Sequence, residues 1–263
     1  IGSFLPIRAV APYSIAQRLS SLPQLITEQF LSLILPMASE LHGTNDLVRL
    51  RKLYLTSTRV ALGIFLPIGC CLVLLGQPLL TLWVGAQYAP YSSVLAILVL
   101  ASLIDMILWP AGLILQAMAR HRLSALMALA TGVANLLLSI VLVQRYGLIG
   151  VALGTLFPTV VATFFVVLPY AMRVIGVDLK TVMAHIYYPA LLPVIPTIAA
   201  LYFLVEIYPP DSFWSLGLIS AAGMVVYGAI YLPFGAGELE RETFSDIIQR
   251  AKTFSKKHLM PRT

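Results

Sequence analysis

Long apolar stretches, about seven in number and each closed by turn residues or charges, fill residues 12–235 of this 263-residue chain. The hydrocarbon core of a bilayer is about 30 Å thick, so a helix needs ~20 mostly apolar residues to cross it. A chain that repeats such a stretch along most of its length has a bilayer as its solvent. Hydrophobic residues make up 59% of the chain and charged residues 11%, and the mean hydropathy is +0.91. A soluble domain carries roughly 25% charged residues and cannot hide so much apolar surface from water. The expected fold class is an all-α integral membrane protein, a bundle of about seven transmembrane helices.

The pattern predicts helices at roughly 12–38, 55–84, 91–118, 122–144, 148–172, 181–206 and 213–234. The connections are short, as at Arg120-His121-Arg122 and Arg145-Tyr146-Gly147, so successive helices are expected to be antiparallel neighbours. When the loops are assigned alternately to the two sides, most of the 17 basic residues fall on one side. Arg49, Arg51, Lys52, Arg59, Arg120, Arg122, Arg173 and Lys180 lie there, with the basic residues of the tail. The other side holds Arg8 and Arg145, and Arg18 lies within a span. By the positive-inside rule the tail is cytoplasmic and residues 1–11 are outside. An even number of crossings would scramble the asymmetry. The net charge of +6 then follows from topology, with anionic inner-leaflet lipid as its counterpart and no nucleic acid.

The chain opens at Ile1, close to a loop, and is read as a piece of a longer protein. Its first ten residues lack the basic and apolar regions of a signal peptide. Cys70 and Cys71 are adjacent within an apolar span; neighbouring helical cysteines point in different directions, so they are expected to be small apolar fillers.

An ionisable group at mid-span costs at least ~2.5–3.5 kcal/mol on insertion scales, so each one marks a cavity or a partner helix. Ser14, Gln17, Arg18, Ser21, Gln24, Glu28 and Ser32 recur at steps of three and four, which puts them on one helical face. Ile15, Leu19, Leu22, Ile26 and Leu33 are expected on the opposite face. Such a stripe lines either a water-filled pathway or a polar seam between helices. Arg18 has the planar fork that binds a phosphate with two parallel hydrogen bonds, although from its depth it could also snorkel to the interface. Asp105 lies mid-way along the third span, with Trp109, Gly112 and Gln116 on the same face; it suits ion coupling or a structural hydrogen bond. Pro110 is expected to kink or unwind that helix, and Pro158 to kink another. Asn135 reads as interhelical glue, and Gly150 and Gly154 as a small-xxx-small contact. Glu206 and Asp211 read as solvated residues at the outer end.

The four histidines, His42, His121, His185 and His258, are isolated, and no His/Cys/Asp/Glu group has metal-ligand spacing. No phosphate loop or nucleophile elbow occurs. The expectation is a non-enzyme without metal or cofactor. From Glu238 to His258, Phe244, Ile247, Ile248, Ala251 and Phe254 share a face amid charges, which suggests a basic amphipathic helix on the inner leaflet or a docking site for cytoplasmic enzymes. Residues 46–58 look like a smaller version, with Leu47, Leu50 and Tyr54 facing one way.

The run from Ala9 through Tyr13 to Leu19, leading to Leu35-Pro-Met-Ala-Ser39, resembles a helix of polysaccharide flippases. Leu66-Pro-Ile and Leu82-Trp-Val-Gly85 are similar to the hairpin that follows. The segment from Asn135 to Val143, followed by Tyr146 through Gly150 and Gly154 to Thr155, resembles the signature of the polysaccharide biosynthesis branch of the multidrug/oligosaccharidyl-lipid/polysaccharide superfamily, which holds the Wzx-like O-antigen flippases. The resemblance implies the C-terminal lobe of a 12–14-helix transporter. Residues 1–172 would be lobe helices, 173–235 two additional spans and 236–263 the cytoplasmic tail. It implies alternating-access export of undecaprenyl-diphosphate-linked oligosaccharide across a bacterial inner membrane. Arg18, Gln17, Gln24 and Glu28 would contact substrate, and Asp105 would be the candidate for ion coupling. A drug/cation antiporter of the same superfamily and a non-transporting scaffold for glycan enzymes are the alternatives.

Overall fold

The computed structural model describes residues 10–235, and these are helical almost throughout. In chain order the helices are α1 Val10–Leu31, α2 Ile34–Gly43, α3 Leu47–Leu74, α4 Gly76–Trp83, α5 Ser92–Ala117, α6 Arg122–Ala162, α7 Leu168–Ile175, α8 Leu179–Val182, α9 Tyr188–Leu191, α10 Val194–Ile207 and α11 Phe213–Phe234. A 3-10 turn, Ala86–Tyr91, precedes α5, and π turns at Thr163–Val167 and Met183–Tyr187 join α6 to α7 and α8 to α9. Five stretches are long and apolar enough to cross a membrane: Leu47–Leu74, Ala86–Ala117, Arg122–Ile175, Leu179–Ile207 and Phe213–Phe234. The molecule is an all-α membrane protein.

The Arg122–Ile175 stretch has 54 residues, about 80 Å if straight, and it does not run straight. Gly147 adopts φ 57° and ψ −134°, outside helical space. Beyond it the chain doubles back: Asn135 Nδ2 donates to Thr155 Oγ1 at 3.1 Å, and Ser139 Oγ donates to the Val151 carbonyl at 3.4 Å. The arms touch through glycine. A Cβ on Gly150 would run into the Leu142 carbonyl, and one on Gly154 into Ser139. Small residues let two backbones approach where lipid offers no hydrophobic push between helices. The expected small-xxx-small contact is therefore the seam of this hairpin.

α1, α3 and α5 enclose the main core, where Leu50, Tyr54, Leu62, Phe65, Leu95, Met106, Ile114 and Leu115 are fully buried. A second cluster holds Cys70, Cys71, Leu75, Leu201, Leu216 and Ile219. Both cysteines are buried free thiols, and Cys71 Sγ contacts the Ser220 carbonyl at 3.7 Å. α11 is fastened by its tyrosines. Tyr227 donates to the Ala190 carbonyl at 2.9 Å and Tyr231 to the Arg59 carbonyl at 3.3 Å, and their rings stack 5.6 Å apart. The Tyr231 ring fits against Gly63 because glycine leaves room for it.

Three expectations need correction. Residues 46–58 do not form a surface helix. They are the first turns of α3, which starts where the Asp46 carboxylate accepts from the Arg49 N–H at 3.0 Å. Leu50 and Tyr54 are in the core, not on a membrane surface. The first span is interrupted, with a turn at Ser32–Leu33 between α1 and α2. α5 runs unbroken through Pro110, so no local unwinding occurs there. The amphipathic tail lies outside the described residues.

Candidate functional site: the polar face of the first helix

α1 packs against α3 and α5 with Pro12, Ala16, Leu19, Ser20, Pro23, Thr27 and Leu31 buried. Most of these are small. The two buried hydroxyls are satisfied within the helix, since Ser20 donates to the Gln17 carbonyl at 2.9 Å and Thr27 to the Pro23 carbonyl at 2.7 Å. Leu22 and Ile26, expected on one face with Leu19 opposite the polar stripe, are each 43% exposed. The helix therefore has three sides rather than two. In lipid an aliphatic side chain gains little by burial, so close packing selects the small side and leaves the leucines outward.

The polar stripe forms the third side. Gln17, Arg18 and Ser32 are exposed, and Ser14, Ser21, Gln24 and Glu28 half-buried. Gln24 Nε2 donates to Glu28 Oε1 at 2.8 Å, and Ser21 Oγ to the Arg18 carbonyl at 2.9 Å. Among the described residues no carboxylate forms an ion pair with Arg18; the pair present is Arg49–Asp46 at 3.4 Å. The packing of this bundle leaves Gln17, Arg18 and Ser32 uncovered and the rest of the stripe half-buried, with an amide–carboxylate pair two turns along from Arg18.

Asp105 lies on the outward side of α5 with Trp109 and Gln116, while Pro110 and Ala111 are buried. No hydrogen bond or ion pair joins Asp105 to Arg18 or Glu28 among the described residues. The structure thus gathers Gln17, Arg18, Gln24 and Glu28 on one surface and leaves Asp105 on another helix. Glu206 and Asp211 are exposed.

A second polar group was not legible as a site. The Tyr13 hydroxyl, four residues before Gln17, reaches the Thr155 side chain. Thr155 accepts from Asn135, and Asn135 Oδ1 accepts from Ser139 Oγ at 3.2 Å. This network ties the start of α1 to both arms of the α6 hairpin. Its only sequence signal is Tyr13 standing one turn ahead of Gln17. Asn135 is the glue it was expected to be. Among the described residues no three His, Cys, Asp or Glu side chains come close enough to hold a metal.

An apolar helical bundle with a part-exposed polar face on one helix defines the class: a multi-pass membrane protein. The polysaccharide biosynthesis protein family matches residues 1–93. A probable low-salt glycan biosynthesis flippase of Haloferax volcanii is 24% identical over 155 residues, 59% of this chain and 33% of that protein. The two matches support a polysaccharide flippase family, the one that the Asn135–Thr155 segment resembles. The chain spans about a third of the length of that curated relative. No solved structure matches.

Proposed function

We propose that this chain forms one lobe of a flippase that carries lipid-linked oligosaccharide, of the undecaprenyl-diphosphate type, across a bacterial inner membrane by alternating access. The observation that carries the reading is the part-exposed polar stripe on α1. A polar side has no place against lipid, and this bundle covers it only in part. It therefore faces water or other protein, and a substrate cavity between two lobes supplies both. Arg18 meets the diphosphate, since a guanidinium fork matches phosphate oxygens in pairs. Gln17, Gln24 and Glu28 meet sugar hydroxyls, which need both donors and acceptors. The chain crosses the membrane seven times. α1 with α2, the two arms of α6 and the four further apolar stretches supply the crossings, which leaves the C-terminus cytoplasmic. The protein acts as a transporter and not as an enzyme.

An antiporter would want Glu28 and Asp105 in one acidic cation site. Glu28 is engaged by Gln24, which favours the glycan reading. The test is export of surface polysaccharide in cells that depend on the full-length protein. Arg18→Ala is expected to cut export at least tenfold, which is about 1.4 kcal/mol, at unchanged protein level in the membrane, and Arg18→Lys to restore part of it. Unchanged export by Arg18→Ala would remove Arg18 from the site. Unchanged export by a Gln17/Arg18/Gln24 triple alanine variant would overturn the cavity assignment.

A further inference from the structure

One end of the bundle gathers arginines that form no ion pair with a carboxylate among the described residues. Tyr170 of α7 donates its hydroxyl to the Arg120 carbonyl at 3.3 Å, which fixes the α5–α6 loop beside α7. Arg173 follows Tyr170 by three residues, on the same side of that helix. Arg122 opens α6. All three side chains are exposed. Arg51, from α3, is engaged nearby: its Nε donates to the Ile175 carbonyl at 3.1 Å and caps the end of α7. Arg173, in the last turn of α7, also gains from that helix's negative end. Arg122 gains nothing from its own helix. It stands where the α6 dipole is positive, the first turn holds no acidic residue, and His121 provides no side-chain cap. Asp178, the acid closest in sequence to Arg173, is held by Thr181.

The surface below these charges is apolar. Leu126, Leu129 and Val133 follow Arg122 at steps of four, three and four, which stacks them under it on one face of α6. They are 52%, 69% and 53% exposed. A guanidinium cluster at the head of an aliphatic stripe has the polarity of a single kind of molecule: an anionic group joined to a long hydrocarbon chain. The stripe begins where the apolar span begins, so the charges stand at headgroup depth.

We propose that Arg120, Arg122 and Arg173 dock the phosphate of an anionic phospholipid whose acyl chain lies along Leu126, Leu129 and Val133. The site stands apart from the α1 stripe and does not require that the chain transport glycans. It gives the exposed first arm of α6 a bound neighbour and Arg122 the anion that its helix lacks.

Native mass spectrometry of the full chain, after reconstitution in vesicles of mixed phosphatidylglycerol and phosphatidylethanolamine, tests this. The protein is expected to retain phosphatidylglycerol in preference, and each arginine removed to weaken retention on the order of fivefold. The Arg120→Gln/Arg122→Gln/Arg173→Gln variant should lose the preference, and Arg145→Gln, at the opposite end, should keep it. If the triple variant aggregates, Arg122→Gln alone is measured and must weaken retention on the order of fivefold. An unchanged preference in the arginine variants overturns the proposal. Displacement of the lipid by millimolar inorganic phosphate overturns it too, since the site would then hold free anion without need of the acyl chain.

Discussion

Asn135 donates from its side-chain amide to the Thr155 hydroxyl at 3.1 Å, across 20 residues of sequence. The bond closes the hairpin that turns at Gly147. Ser139 joins it from the next helical turn, and Gly150 and Gly154 bring the two backbones into contact.

The hairpin seam should tolerate lost polarity better than added bulk. Gly154→Leu puts its first carbon 2.8 Å from the Ser139 backbone nitrogen, so the arms must separate. The expected cost is about 1–3 kcal/mol, the range for overpacking. Asn135→Leu gives up interhelical hydrogen bonds worth about 1 kcal/mol. Denaturant titration in detergent, followed by circular dichroism, should rank Gly154→Leu below Asn135→Leu; the reverse order would remove glycine from its role in the seam.

Gly176 ends α7 at φ 77°, and a Cβ there would lie 2.5 Å from Arg51 Nη2. Gly176→Ala should lose about 1–2 kcal/mol to the left-handed backbone and a further increment to the clash. In an Arg51→Ala background the increment should vanish and the backbone part remain. A double-mutant cycle of thermal stability reads the difference. Additive losses would mean that Arg51 moves aside without cost.

Asp178 starts α8 by accepting from the Thr181 hydroxyl and from the Thr181 N–H at 3.3 Å. The hydroxyl bond holds its carboxyl below the usual aspartate range. A lowered folded value means that ionised Asp178 favours the folded turn above the unfolded aspartate pKa of about 3.9, and that this contribution fades as pH falls through the lower folded value. Protection of the Thr181 amide proton, its exchange measured against the intrinsic rate at each pH, should hold at neutral pH and be lost only in strong acid. Asp178→Ala should lack this protection at every pH. Loss of protection in the native protein already near pH 6 would contradict the assignment.

Asp105 faces outward from α5 without a described ion-pair partner. As a coupling group, it should make transport by the full-length protein depend on a proton or sodium gradient. Asp105→Asn should then export at a rate that no longer changes when the gradients collapse. If Asp105→Asn responds to collapse as the native protein does, Asp105 is structural.

The spans between α3 and α11 were legible because a helix in lipid needs length and apolarity and little else. The break at Gly147 was legible because Arg145-Tyr146-Gly147 interrupts an apolar run, and the seam because Gly150 and Gly154 stand four apart. The start of α3 was not legible. Charged residues at 46–58 look the same whether a helix lies on a membrane surface or rises out of one, and only burial of Leu50 and Tyr54 among other helices distinguishes the two. The Tyr13–Thr155 contact was equally hidden, because no spacing rule relates residues on separate helices.

The sequence by itself determined the solvent of this protein, its class and the polar stripe on α1, because hydropathy and helical period act within one segment. Only the tertiary structure decided which side of α1 packs. A helical wheel separates polar from apolar, but in lipid the apolar side is not the buried one. Van der Waals fit between backbones selects Ala16, Ser20, Pro23 and Thr27 for the interior and leaves Leu22 and Ile26 outside. That choice leaves Arg18 and Gln17 uncovered, and it rests on the shapes of α3 and α5, which no residue of α1 encodes.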